Sequence, residues 1–377
     1  MKKILCVMSD AGGAHRTVSN AIRDALNRSY SPSEFTYEMV DVFATSKFCN
    51  YFIRSYSRLT RFSPITYGNV YRFANHNFIW NSIYHIMIQP FIKEKIKRLI
   101  LEKKPDIILS VFALSGRIMM DILEELELVD DIPVIIVVVD PFTIHFSWAE
   151  PRATLIIVPT EEAKAQLIEY GVPADKLIVS ELPINPKFYE SYSDEDFKNE
   201  IDWVNGKFNI MLMGGGDGTG GMYRTVDILV KSNLDIQLIV VTGRNKKLEE
   251  KLNKLKDESK VPVKVFGYTD KIPELMSLSD ILVTKAGPMT IMEAISKELP
   301  LIITGFIPGQ EEGNVEYIRS NKLGYIVNKK SEIVEIVRNA INNGSELESI
   351  KANLKEHQKV LGAQKIAEMI IDGRFHN

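Results

Sequence analysis

Short apolar runs alternate with amphipathic stretches of helical length from one end of the chain to the other. Lys3–Met8, Ile107–Val111, Val134–Val139 and Leu155–Val158 are strand-length hydrophobic segments. Ile210–Met213, Gln237–Thr242, Val263–Phe266, Ile281–Thr284, Leu301–Thr304 and Tyr325–Val327 form a second series. Runs this short and this apolar suit strands covered on both faces, which is the habit of parallel sheets. Helical patterns lie between them, such as Thr160–Tyr170 and Gly221–Ser232. Thr160 offers an N-cap, Glu161 and Glu162 occupy the first turn, and Gly171 lies just past the end. Strand–helix alternation predicts an α/β fold. Two series predict two doubly wound, Rossmann-like domains, residues 1–186 and 187–359, facing across a cleft. The boundary is expected near Leu182-Pro183-Ile184-Asn185-Pro186 and the polar stretch Ser191–Asp202. Ligands of such sheets bind beyond the carboxyl ends of the strands.

Composition narrows the class. The chain has 377 residues, 45% hydrophobic and 25% charged, enough for two domains of ordinary size. No apolar run approaches the roughly 20 residues that span a bilayer. Met1–Met8 runs directly into a strand-like segment, so no signal or transit peptide is expected. Two cysteines, Cys6 and Cys49, suit a reducing cytoplasm, with Cys6 read as a small core residue. The net charge of −3 conceals an asymmetry: residues 1–100 carry 14 Lys/Arg against 6 Asp/Glu, and the remainder 32 against 43. From Val42 to Lys93 there is no Asp or Glu, six Lys/Arg including Arg54, Arg58 and Arg61, and 13 of the 34 aromatics. Aromatics and cations without carboxylates fit an anionic membrane surface; core packing of two or three helices is the alternative. No nucleic-acid motif is present, so nucleic acid is not expected as a partner.

Several loops carry candidate chemistry. Ser9-Asp10-Ala11-Gly12-Gly13-Ala14-His15-Arg16 follows the first strand. Gly12 and Gly13 allow a tight turn close to a ligand. His15 then starts a helix, whose dipole favours the neutral imidazole and so a general base; local capping is the other reading. Asp140 ends a strand and could orient His15, bind the acceptor or simply initiate a turn before Pro141. His145 and Trp148 follow, either lining an acceptor site or packing a loop. Met213-Gly214-Gly215-Gly216 and Lys285-Ala286-Gly287-Pro288-Met289-Thr290 are strand-to-helix turns whose N–H groups suit a diphosphate. A literal G-x-G-x-x-G at Gly216–Gly221 lacks the acidic residue that a dinucleotide site needs after the next strand, so a dinucleotide is discounted. Glu293 can accept hydrogen bonds from a ribose, and Gln310 and Glu311 can read sugar hydroxyls. Together these point to a nucleotide-sugar site. No metal cofactor is expected: the six histidines show no ligand spacing, and Asp194-Glu195-Asp196 reads as a solvated helix start.

These segments, with Gly243-Arg244-Asn245-Lys246-Lys247 and Pro308-Gly309-Gln310-Glu311-Glu312-Gly313-Asn314, resemble the monogalactosyldiacylglycerol synthases and processive diacylglycerol glucosyltransferases of glycosyltransferase family 28. The likeness covers nearly the whole chain. It implies a GT-B fold and inverting, metal-independent transfer of glucose or galactose from a UDP-sugar to diacylglycerol or a related glycolipid. It also implies a peripheral enzyme on the inner face of the cell membrane, with a closing helix at about 360–377 packed on the first domain. His15 matches a proposed base or acceptor residue, and Asp140 and His145 match a family Asp and His. Tyr268 and Thr269 fall where a similar loop holds uracil. Lys285, Gly287 and Thr290 join the diphosphate turn, Glu293 matches the ribose ligand, and Gln310 and Glu311 the sugar readers. Ala14 replaces a glycine, Phe112-Ala113 a His-Pro pair, and Asn185 an arginine. A transferase acting on a polyprenyl-linked sugar and a non-catalytic UDP-sugar sensor are the other readings.

Overall fold

The computed structural model describes residues 1–10, 13–41, 43–44, 46, 51, 63–190, 194–215, 221–358 and 362–375. Gly12, Gly216, Arg54, Arg58 and Arg61 therefore lie outside the described residues. The chain divides into two compact units, Met1–Pro186 with Ile307–Gly313 and Leu361–Asn377, and Lys187–Phe306 with Asn314–Val360. The segment Ile307–Gly313, within the sequence range expected for the second domain, thus groups with the first.

Each unit is built on one six-stranded parallel sheet. The first contains β1 (Lys2–Met8), β2 (Phe35–Asp41), β3 (Ile107–Ser110), β4 (Val134–Val137), β5 (Leu155–Val158) and β6 (Leu177–Val179), in the order β2-β1-β3-β4-β5-β6. The second contains β7 (Phe208–Met213), β8 (Ile236–Val241), β9 (Val263–Phe266), β10 (Ile281–Thr284), β11 (Leu301–Ile303) and β12 (Gly324–Ile326), in the order β12-β11-β10-β7-β8-β9. β2 and β6 are the strands that hydrophobic runs did not announce. Both are edge strands: β2 alternates half-exposed positions, and β6 has three residues of which two are half-buried. An edge strand lacks the two-sided cover that makes a central parallel strand uniformly apolar.

The strand order reverses once in each sheet, and the reversal sets where ligands can approach. In the first sheet β1 and β3 are neighbours, paired at Ile4 and Ile107, and their connections leave in opposite directions. In the second, β7 and β10 are neighbours, paired at Ile210 and Ile281. The loops after these four strands carry residues 10–16, 111–112, 214–215 and 285–287, while Asp140, Tyr268 and Gln310 follow β4, β9 and β11.

Four helices matter for the site. Helix α1 (Ala14–Ser29) buries Val18, Ala21, Ile22, Ala25 and Leu26, an i, i+3, i+4 stripe against the sheet. Helix α2 (Pro64–Ala74) buries Tyr67 and Gly68. Helix α3 (Pro288–Ser296) starts behind Gly287, with Pro288 at its first position, where its missing N–H costs nothing. Helix α4 (Gly362–Asp372) belongs to the first unit and packs on α1; Lys2 Nζ donates to the carbonyls of Ile370 and Ile371 at its end. Thr160 caps its helix by accepting from Ala163 N–H, and Gly171 takes φ +92 beyond it. Among the described residues, no helix is long and apolar enough to cross a membrane.

Candidate active site

In the first unit the candidate residues cluster around His15. Its Nδ1 lies 2.7 Å from the carbonyl of Val111, so the loops after β1 and β3 are joined through this ring. A carbonyl can only accept, so Nδ1 carries the proton and Nε2 keeps its lone pair. Nε2 has no hydrogen-bond partner among the described residues. Burial pushes the imidazole down to about 4, against the opposing pull of the Val111 carbonyl and of Asp41 and Asp10. His15 is therefore neutral near pH 7, through desolvation rather than through the helix dipole alone. Phe112 packs edge-on to His15 at 4.9 Å between ring centres. Trp148 lies on another side at 6.5 Å.

Asp140 shares this cluster. Its Oδ2 accepts from Trp148 Nε1–H at 2.8 Å. Burial raises the carboxyl to about 6; hydrogen bonds from Trp148 and Gln310 oppose the rise and the charge of Glu311 adds to it. Trp148 is fully buried, so it supports Asp140 rather than presenting a face to a ligand. His145 is likewise committed: Nδ1 accepts from Ser147 N–H at 3.1 Å, and the other nitrogen donates to the Tyr71 carbonyl. Its ring packs against Tyr71 and Trp80. Of the two alternatives for His145, this geometry is the packed loop.

Gly13 precedes α1 with φ −80, a conformation open to any residue, and nothing stands within 4 Å of where its Cβ would be. The tight-turn argument for glycine does not hold there; what Gly13 leaves is open space above the helix N-terminus. Asp10 is engaged by Arg16 through two hydrogen bonds, and Asp41, on the neighbouring β2, accepts from the N–H groups of Asp10, Phe43 and Ala44. Sequence reasoning did not find Asp41, because the strand carrying it was not found.

In the second unit the loops after β7 and β10 meet at Gly215 and Lys285. Gly215 takes φ +70, and a Cβ there would be 3.8 Å from Lys285 Cε. Thus a left-handed turn brings backbone N–H groups beside a cation, a combination suited to phosphate. Gly287 leads into α3, whose first-turn N–H groups at Met289 and Thr290 have no intrahelical acceptor. Asn314 Nδ2 donates to the Ala286 carbonyl at 2.8 Å and fixes this loop. Lys330 donates to the carbonyl of Gly221 at the far end of the glycine-rich run, a second cation that spacing alone did not reveal.

Glu293, one turn further into α3, is buried, and among the described residues nothing donates to its carboxylate. Desolvation raises it to about 8. Tyr268, beyond β9, is 71% exposed with the Arg244 guanidinium 5.5 Å over its ring. Thr269 Oγ1 accepts from Lys271 N–H, closing the turn beside it. Gln310 and Glu311 belong to the loop that groups with the first unit. Gln310 bonds Asp140 and Tyr67. Glu311 is buried and folds back on its own loop, its Oε2 accepting from Ile307 N–H at 2.8 Å.

Comparison with known proteins completes the assignment. Residues 15–184 match the family model for monogalactosyldiacylglycerol (MGDG) synthase, and residues 210–370 that for the glycosyltransferase family 28 C-terminal domain. The chloroplastic MGDG synthase of Spinacia oleracea is 32% identical over 374 residues, covering 95% of this chain and 70% of the relative. MGDG synthase 1 of Arabidopsis thaliana is 33% identical over 368 residues, covering 93% and 67%. The chain belongs to the MGDG synthase family of glycosyltransferases. Solved structures with the same fold include MurG of Acinetobacter baumannii (TM-score 0.62, 12% identity, 99% of this chain and 100% of that one) and Anabaena Alr3699/HepE in complex with UDP (0.56, 14%, 99% and 98%). This is the GT-B fold. A UDP-GlcNAc 2-epimerase from Neisseria meningitidis shares it at TM-score 0.60, so the fold by itself does not separate transfer from epimerisation. The family does: this is a sugar transferase. Asn185 Nδ2 donates to Asp24 Oδ2 at 3.4 Å within the first unit.

Proposed function

We propose that the protein is an inverting hexosyltransferase that moves glucose or galactose from a UDP-sugar to diacylglycerol or a related glycolipid at the inner membrane surface. The observation that carries the donor half is Glu293: a buried carboxyl, without a hydrogen-bond partner among the described residues, one turn behind a helix N-terminus. An uncompensated buried carboxylate is costly unless a ligand supplies its hydrogen bonds. Ribose hydroxyls are donors of the right kind. The diphosphate is then bound by the N–H groups of the Gly215 and Gly287 turns with Lys285, a task that needs no metal. Among the described residues, no group of three or more His, Cys, Asp or Glu could hold a metal ion. Tyr268 supplies a face for uracil, and Gln310 contacts the hexose.

His15 acts in the acceptor half. The lipid hydroxyl loses its proton to Nε2 as its oxygen bonds to the anomeric carbon; the bond from that carbon to the β-phosphate oxygen breaks, and UDP leaves with inversion. The charges of Asp41 and Asp10, which pull the imidazole upward, favour the imidazolium as it forms; Asp140, held by Trp148, is placed to bind the acceptor. Membrane attachment is supported by the face of α2 opposite its buried side. Ile65 (74% exposed), Val70 (51%) and Phe73 (65%) lie within one 140° arc of that helix, and Ile86 is also exposed. Arg54, Arg58 and Arg61 would add attraction to anionic lipid.

A donor-by-acceptor screen tests the reading. UDP-glucose and UDP-galactose are offered with anionic liposomes containing diacylglycerol, a monohexosyl lipid or a polyprenyl-linked sugar, and product masses are read. Hexosylated diacylglycerol supports the proposal. Product only from the polyprenyl acceptor, or UDP binding without turnover on any acceptor, overturns it.

A further inference from the structure

The loop Ile307–Gly313 is held from one side by α2. Tyr67 Oη donates to Gln310 Oε1 at 3.1 Å. Asp140 takes a hydrogen bond from Gln310, which must come from the amide nitrogen because a carboxylate only accepts. A hydroxyl on one end and a carboxylate on the other fix the orientation of an amide whose two ends are otherwise nearly the same shape. The backbone approach is equally tight. A Cβ at Gly68 would stand 2.7 Å from Pro308 Cβ and 3.0 Å from the Pro308 carbonyl oxygen. Gly309, at φ +80, rests against the Gly68 carbonyl, and Arg72 pairs with Glu312. Glycine in a helix interior is unfavourable, so its place at 68 suits a need for close contact rather than for helicity.

We propose that Tyr67 and Gly68 are specificity-determining positioning residues, which set the orientation and height of the Gln310 amide and thereby the hexose epimer accepted. The inference rests on the reading that Gln310 contacts the donor hexose. Glucose and galactose differ in the direction of one hydroxyl. An amide turned end for end offers that hydroxyl an acceptor in place of a donor, and the discrimination falls. Neither Tyr67 nor Gly68 touches the reacting atoms; both act through Gln310.

The full-length protein is assayed on diacylglycerol-containing anionic vesicles with UDP-glucose and UDP-galactose, alongside UDP affinity by calorimetry and a melting curve. Tyr67→Phe removes one hydroxyl. It should lower kcat/KM for the preferred hexose about 3- to 10-fold, the scale of one hydrogen bond, narrow the ratio between the two hexoses, and leave UDP affinity unchanged. Gln310→Ala should do the same or more, and the double variant should be no worse than Gln310→Ala alone, as for two members of one unit. Gly68→Ala would press a methyl group against Pro308, so hexose discrimination should fall together with some melting temperature; Tyr67→Phe, which adds no atom, is the variant that separates positioning from folding. If Gln310→Ala erodes discrimination but Tyr67→Phe and Gly68→Ala do not, the positioning role is wrong and the role of Gln310 stands. If Gln310→Ala leaves both hexoses unaffected, the sugar-contact reading fails and the positioning role with it. Parallel loss of UDP affinity and melting temperature in Tyr67→Phe marks a merely structural residue and also overturns it.

Discussion

Glu293→Gln should make the protein more stable and less able to bind nucleotide, and both effects should depend on pH. The carboxyl moves from an ordinary 4.5 in the unfolded chain to about 8 in the folded one, because burial disfavours its charge. Between those values the native state holds a proton that the unfolded chain releases. Stability contributed below the lower value is therefore lost as pH rises through the upper one, at up to about 1.4 kcal/mol per unit. At pH 7 the accumulated cost is about 3 kcal/mol. Glutamine keeps the shape and carries no charge, so it removes that cost. For a unit of this size, roughly 2–4 °C per kcal/mol converts it to a rise of about 6–12 °C in the melting of the second unit. The gap between variant and wild type should shrink towards zero near pH 5. Nucleotide binding should change the other way. Hydrogen bonds to a charged group are worth about 1.5–3 kcal/mol, so Kd for UDP should rise about 10- to 100-fold. Wild-type UDP affinity should itself weaken as pH falls below about 8, because the ligand selects the ionised form, and calorimetry in two buffers should register proton release. Melting differences that are equal at pH 5 and pH 8, or an unchanged Kd for UDP, refute the reasoning.

His15→Ala should lower kcat by about 10²–10⁴-fold while UDP affinity is kept, the range of general acid–base catalysis. Because burial holds His15 down to about 4, its protonation should cost activity only as pH falls towards that value, visible in the rate–pH profile. Turnover should be unchanged in excess chelator; loss that Mg²⁺ or Mn²⁺ restores would count against the mechanism. Replacing Ile65, Val70 and Phe73 by serine, or Arg54, Arg58 and Arg61 by glutamate, should release the protein from anionic liposomes in co-sedimentation. The first set should remove the salt-resistant part of binding and the second the salt-sensitive part. Cys6, fully buried beside Ser19 and pushed up to about 11, should stay unreactive to thiol reagents in the native state.

The central strands of both sheets were legible in the sequence because they are buried on both faces. Ile4–Met8 and Ile281–Val283 have no room for polar residues, so they read as continuous apolar runs. Two of the four edge strands, β2 and β6, were not legible, for the converse reason. Phe35–Asp41 has one fully buried residue in seven, and its pattern is that of many surface segments. That miss had a consequence for chemistry. Asp41, at its end, accepts from the Asp10 N–H and its charge acts on His15, and no motif marks it.

The same division holds within the site. Glycine-rich turns and Glu293 were legible because each satisfies a local demand: a left-handed turn at Gly215, a helix start at Gly287, a carboxyl one turn later. What sequence spacing cannot show is which side chains are already committed. His15 and His145 look alike in sequence, each a few residues beyond a strand. Among the described residues, one ring nitrogen of His15 is engaged and the other is not, whereas both nitrogens of His145 are engaged. Gln310 and Glu311 are adjacent, yet the first bonds Tyr67 and Asp140 while the second closes its own turn. Commitment of this kind is set by residues distant in sequence, such as Val111, Tyr71 and Tyr67. A functional residue is therefore recognised less by its type than by the hydrogen bond it still lacks. Among the described residues, His15 Nε2 and the Glu293 carboxylate are groups of that kind beside the candidate loops, and they fall on the acceptor and donor sides of the proposed reaction.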